Sequence, residues 1–99
     1  APDSNAASAL IQALADMGDT ERAERLFEEV VADGSEPEST AYTALIDAHF
    51  LLGNGPVVKL WYRRMVASKV RPRGRTEFNM VINACAQVGD LEQALKWFD

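Results

Sequence analysis

Residues 40–65 read TAYTALIDAHFLLGNGPVVKLWYRRM. Tyr42, Leu45, Ile46, His49 and Leu52 recur at three- and four-residue steps, which lines one face of an α-helix. Gly53-Asn54-Gly55 breaks that stripe as an interhelix turn. Pro56 suits the first position of a new helix, where its missing N–H costs nothing. Val57, Leu60, Trp61 and Met65 then form a second stripe, and Thr40 is placed to cap the first. The stretch is expected to be a helical hairpin.

The same hairpin is written on both sides of it. Ala44-Leu45-Ile46 aligns with Ala9-Leu10-Ile11 and with Met80-Val81-Ile82. A glycine follows each Ile by seven residues, at Gly18, Gly53 and Gly89. Then come Ala23, Val58 or Ala94, followed by Leu26-Phe27, Trp61-Tyr62 or Trp97-Phe98. Pro37 and Pro72 close two of the units. Gly18 to Gly53 and Pro37 to Pro72 are both 35 residues, and Gly53 to Gly89 is 36. A fixed period of this length is the signature of stacked supersecondary units.

In the first unit Ala7, Leu10, Ile11, Leu14 and Met17 form the stripe, and Asp19 can cap the helix that carries Ala23, Leu26, Phe27 and Val30. In the third, Thr76 is placed to cap Phe78, Val81, Ile82 and Cys85, and Asp90 with Gln93 has capping-box spacing. Helices are expected near 4–17, 20–32, 40–52, 56–68, 77–88 and 91–99, in repeats near 4–38, 39–74 and 75–99 of one all-α domain. By comparison with the other copies, about ten residues of the third unit are missing.

The 99 residues are 47% hydrophobic and 25% charged, ordinary for a globular chain. No apolar run approaches the roughly 20 residues that span a bilayer. Residues 1–38 carry ten acidic and two basic side chains, residues 39–74 one and six, and residues 75–99 four and two, for a net charge of −5. An acidic chain is a poor default for binding phosphates, although the basic middle block can attract anions or acidic proteins. With one His and one Cys, zinc chemistry has no basis, and no cofactor is expected. His49 lies on an apolar face and reads as a satisfied core histidine, and Cys85 as a small buried hydrophobe. Trp61 and Trp97 hold equivalent positions and read as packing residues.

The matches Tyr42-Thr43-Ala44-Leu45-Ile46-Asp47, Phe78-Asn79-Met80-Val81-Ile82-Asn83, Ala23-Glu24-Arg25-Leu26-Phe27-Glu28-Glu29 and Ala94-Leu95-Lys96-Trp97-Phe98-Asp99 resemble the pentatricopeptide repeat family over nearly the whole chain. The resemblance implies a right-handed α-solenoid of stacked antiparallel hairpins, no catalysis, and residence in a chloroplast or mitochondrion. It also implies a surface of first helices that reads single-stranded RNA one base per repeat. Carried over by position, the reading residues are Ser8, Thr43 and Asn79, paired with Glu38 and Arg73, Gly74 being the extra residue of the longer unit. Glu38 and Arg73 depart from the Asp or Asn that completes such a pair. Asn5, Thr40 and Thr76 stand where an aliphatic residue sandwiches the base, and Asp16, Leu51 and Gln87 where a basic residue meets phosphate.

Lys59, Arg63, Arg64, Lys69, Arg71 and Arg73 form a candidate basic interaction surface. Three of them lie 35 residues after acids: Lys59 after Glu24, Arg63 after Glu28 and Arg64 after Glu29. Stacked helices would turn this spacing into an acid–base ladder along the second-helix side. The expected function is a non-catalytic docking module, held in a larger organellar assembly by contacts with protein subunits. The alternative is a single-stranded RNA binder.

Overall fold

The computed structural model describes residues 4–89 and 92. It holds α1 (Ser4–Asp16), α2 (Thr20–Ala32), α3 (Ser39–Leu51), α4 (Gly55–Ala67) and α5 (Gly74–Gln87), and no strand occurs among the described residues. The expected helix 91–99, apart from Glu92, and the pair Asp90 and Gln93 lie outside the described residues. α1 packs on α2 and α3, and α3 on α4 and α5. The chain is therefore a solenoid of antiparallel hairpins, with α1, α3 and α5 in one layer and α2 and α4 in the other.

Apolar spacing puts each hairpin's core where the expected stripes meet. Ile11, Phe27, Leu45, Ile46, Val58, Tyr62 and Met65 are fully or almost fully buried. Phe27 of α2 joins the layers: its ring meets Tyr42 of α3 edge-on at 4.9 Å and Trp61 of α4 edge-on at 4.8 Å. Four stripe residues are not core. Leu10, Met17, Leu52 and Leu60 are exposed, Met17 by 79%. Steps of three and four describe a wide arc, and only the side facing a neighbouring helix is covered. Met17 and Leu52 stand one residue beyond α1 and α3, where the chain leaves the core.

Helix starts differ from expectation in an informative way. Asp19 caps α2 as expected, its Oδ1 accepting the Arg22 N–H at 3.3 Å. Thr40 and Thr76 are not caps. The chain enters α3 through Glu38 and α5 through Arg73, both in extended conformation directly after a proline. The fixed proline φ leads straight into the helix, so α5 starts three residues earlier than the stripe suggested. Arg73 N–H still finds an acceptor, Glu77 Oε1 at 3.2 Å. The extra residue of the 36-residue unit, Gly74, takes φ +69° at the start of α5, a conformation open to glycine at little cost.

Helix ends share one device. Gly18, Gly34 and Gly53 donate to carbonyls three residues back, and Asp19, Ser35 and Asn54 donate to carbonyls five back, the double bond of a Schellman ending. After α4 the same bonds run from Lys69 and Val70, and Lys69 holds the left-handed position at φ +62°. A side chain there strains the backbone by about 1 kcal/mol. Lys69→Gly is expected to stabilise the chain slightly, by about 0.5 kcal/mol, once glycine's greater unfolded-state freedom is subtracted. A chemical-denaturation midpoint that does not rise would refute this.

Candidate functional site

The first residue of each expected reading pair sits on a first helix, Ser8 on α1, Thr43 on α3 and Asn79 on α5. Two of the three are closed. Ser8 is buried, and its Oγ accepts the Glu38 N–H at 3.0 Å, so the fold does bring the pair Ser8 and Glu38 together. It joins them through Glu38's backbone, and the hydroxyl is spent inside the chain. Thr43 is buried as well, its Oγ1 donating to the Thr40 carbonyl of its own helix at 3.3 Å. Asn79 is exposed on α5, and Arg73 is exposed where the chain enters that helix.

On α1 and α3 the electrostatics run against phosphate. α1 and α3 contain no Lys or Arg, while Asp16 stands on α1 and Asp47 on α3. Partial burial, together with the Asp16 charge, raises the Asp47 carboxyl above the usual aspartate range. A raised folded value gives stability that is present below the unfolded carboxylate range and lost as pH rises through the folded value. Ionised Asp47 is thus a burden at neutral pH. Asp47→Asn, the residue type found at the equivalent Asn83, is expected to raise the melting temperature at pH 7. The gain should vanish below about pH 3, where both forms are neutral. Melts at the two pH values test this.

The basic block separates into engaged and free cations. Arg64 clamps Glu28 of α2 with two bonds of 2.6 and 2.7 Å. Its guanidinium also lies 4.7 Å from the Phe27 ring centroid and 5.0 Å from that of Trp61. The hydrogen bonds from Arg64 hold the Glu28 carboxyl below the usual glutamate range, and the same bonds push Arg64 up. Of the expected ladder one rung is seen, Arg64 with Glu28, and its partner is one residue off the expected alignment. Arg64 pairs with Glu28 and not Glu29, at a separation of 36. Glu24 accepts Trp61 Nε1–H at 3.3 Å, and among the described residues no carboxylate pairs with Lys59. Lys59 lies beside Gly55, Pro56, Gln87 and Val88. Arg63 and Arg71 are exposed but engaged in contacts of their own. Lys69, Arg73 and Arg75 are exposed cations on and beside the α4–α5 link. Arg75 lies one residue past the basic block of residues 39–74 and joins the candidate surface here.

Two features were not legible in advance. The Tyr42 hydroxyl bridges Glu36 Oε1 at 3.1 Å and Ser68 Oγ at 3.0 Å, tying the α2–α3 link to the end of α4. Burial raises this phenol above the usual tyrosine range. His49 is buried, but it is a poorly satisfied core histidine. Its Nδ1 lies 3.4 Å from Asn54 Nδ2, and its Nε2 lies 3.5 Å from Glu24 Oε2 without a well-formed hydrogen bond. Cys85 is a buried free thiol, and Trp61 is a packing residue, as expected. Among the described residues no group of His, Cys, Asp or Glu is placed to hold a metal, and no helix is long and apolar enough to cross a membrane.

Stacked two-helix units with shared Schellman endings define a helical-repeat protein. The sequence matches the pentatricopeptide repeat domain over residues 1–49 and 25–87, and a PPR repeat over residues 78–99. The chain belongs to the pentatricopeptide repeat family, whose members are helical-repeat modules, usually RNA-binding, generally non-catalytic and typically organellar. No curated protein matches it.

Proposed function

We propose that this chain is a docking module, held in an organellar assembly through protein contacts and carrying no catalysis of its own. The observation that carries the reading is the state of the first-helix layer. The Ser8 and Thr43 hydroxyls are buried and occupied, and the charges on α1 and α3 are carboxylates. A base has no free hydroxyl to address there, and a phosphate meets repulsion. The exposed cations Lys69, Arg73 and Arg75 favour a partner that presents carboxylates to the α4–α5 link.

The second reading, a single-stranded RNA binder, is favoured by the exposure of Asn79 close in sequence to Arg73 and Arg75. Co-purification from organelle extract, with and without ribonuclease, separates the two. Protein partners should survive ribonuclease and be lost in Lys69→Glu/Arg73→Glu/Arg75→Glu. Dependence on RNA, together with submicromolar binding of a random RNA pool that Asn79→Ala abolishes, would sink the docking reading.

A further inference from the structure

The finishing ends of the first helices form one long edge of the solenoid, and that edge is apolar. Met17, Leu52 and Val88 each stand one residue beyond a first helix, at equivalent places in the three units. α1, α3 and α5 stack in that order, so the three residues follow one another along the edge. Leu52 is 56% exposed although α1 and α5 pack on either side of α3, so the exposure belongs to the position in the unit. Met17 is 79% exposed, and Leu51, beside Leu52, is 75% exposed. Past Leu52 the edge opens into a cleft of about 180 Å³ between α3 and α5, lined by Phe50, Gly53, Gly55, Gln87 and Val88. Gly55 stands where the first unit has Thr20, and a Cβ there would lie 3.4 Å from Val88 Cγ1. The charges flanking this edge are opposite at its two ends. Asp16 lies beside Met17 with no cation paired to it among the described residues, and its charge bears on Asp47. Lys59 flanks the cleft at the other end, without a carboxylate of its own.

We infer that this edge pairs with the same edge of a second copy of the chain, about a two-fold axis at Leu52. Leu51 and Leu52 of the two copies meet across the axis, Met17 of each enters the cleft of the other, and Asp16 of each faces the other's Lys59. Two-fold pairing runs the two edges in opposite directions, which brings acid to base at both ends. Pairing in the same direction would set Asp16 against Asp16. Burial of the exposed apolar side chains drives the contact, and the charges fix its direction. The interface is isologous and closes at a dimer. Asn79 and the α4–α5 link lie toward the opposite ends of the helices and stay uncovered, so the dimer is independent of whether the partner there is protein or RNA.

Sedimentation equilibrium of the 99-residue chain should show monomer and dimer and nothing larger. Leu52→Asp sets two carboxylates against each other at the axis and should raise the dimer dissociation constant about tenfold or more. The site is exposed, so the melting temperature should stay near that of the parent. Asp16→Lys should also weaken the dimer. It removes the charge that burdens Asp47, so this loss does not come from unfolding. Asp16→Lys/Lys59→Asp restores opposite charges at both ends and should recover the parent constant. Oxidative cross-linking checks the register. Leu52→Cys should give a disulfide-linked dimer, whereas Leu60→Cys, exposed in the middle of α4, should not, and Cys85 is buried. A parent chain that is monomeric at every concentration overturns the inference and leaves the edge to a different partner. So do species larger than a dimer, a dimer that Leu52→Asp leaves intact, a double variant no tighter than Asp16→Lys, or equal cross-linking by the two cysteines.

Discussion

Phe27→Ala is expected to lower the unfolding free energy by about 3–5 kcal/mol, the usual cost of removing a fully buried aromatic ring. Single domains are stable by about 5–15 kcal/mol, so this one change consumes a large part of the total. The ring has no exposed surface, and it meets Tyr42 in one layer and Trp61 in the other. Each edge-on pair adds about 0.5–1.5 kcal/mol beyond its buried area. The cavity would open where α2 meets Tyr42 of α3 and Trp61 of α4. Leu26, next in sequence and only half-buried, is the control, and Leu26→Ala should cost much less. Urea unfolding monitored by far-UV circular dichroism gives both values. A Phe27→Ala loss no greater than that of Leu26→Ala would show that the layers are joined elsewhere.

How far the sequence reveals the fold follows from which signals act locally. Gly18, Gly34 and Gly53 mark helix ends because the left-handed position belongs to the backbone itself, and proline marks the starts for a similar reason. These places are legible residue by residue. The cross-repeat contacts are not, since a period identifies equivalent positions and equivalence is not contact. Subtracting 35 from Arg64 leads to Glu29, yet the structure joins Arg64 to Glu28 and Trp61 to Glu24, at separations of 36 and 37. Two side-by-side helices present facing sides to each other, so partners are offset along the axis from the equivalent residue. Burial of Ser8 and Thr43 was hidden for a related reason. A small polar residue on an inner helix face reads as free until the next helix is placed against it. Arg64 is one of several cations in a basic run, and its clamp on Glu28 and its position over Phe27 and Trp61 emerge only when the helices are packed.

Arg64→Glu is expected to cost about 1–3 kcal/mol, more than an exposed ion pair alone can explain. The Glu28 and Arg64 side chains are 56% and 36% exposed, which limits their pairing to about 0–1 kcal/mol. Stacking of the guanidinium over two rings contributes about 0.5–1 kcal/mol more per ring at such a site. Reversal removes both terms and sets like charges beside each other. Salt should relieve only the repulsion, so the loss at high ionic strength measures what stacking and the hydrogen bonds supplied. Acid gives a second handle. Glu28's folded value is depressed by the Arg64 hydrogen bonds, so its stabilisation is present above the unfolded glutamate range and lost as pH falls through the folded value. Below that range the parent and Glu28→Gln should converge in stability. The double reversal Glu28→Arg/Arg64→Glu restores the ion pair but not the cation over Phe27 and Trp61. It should therefore recover about half of the loss, a coupling readable in a double-mutant cycle. Full recovery would mean that the rings add nothing. No recovery would mean that the clamp between α2 and α4 is not an ion pair at all.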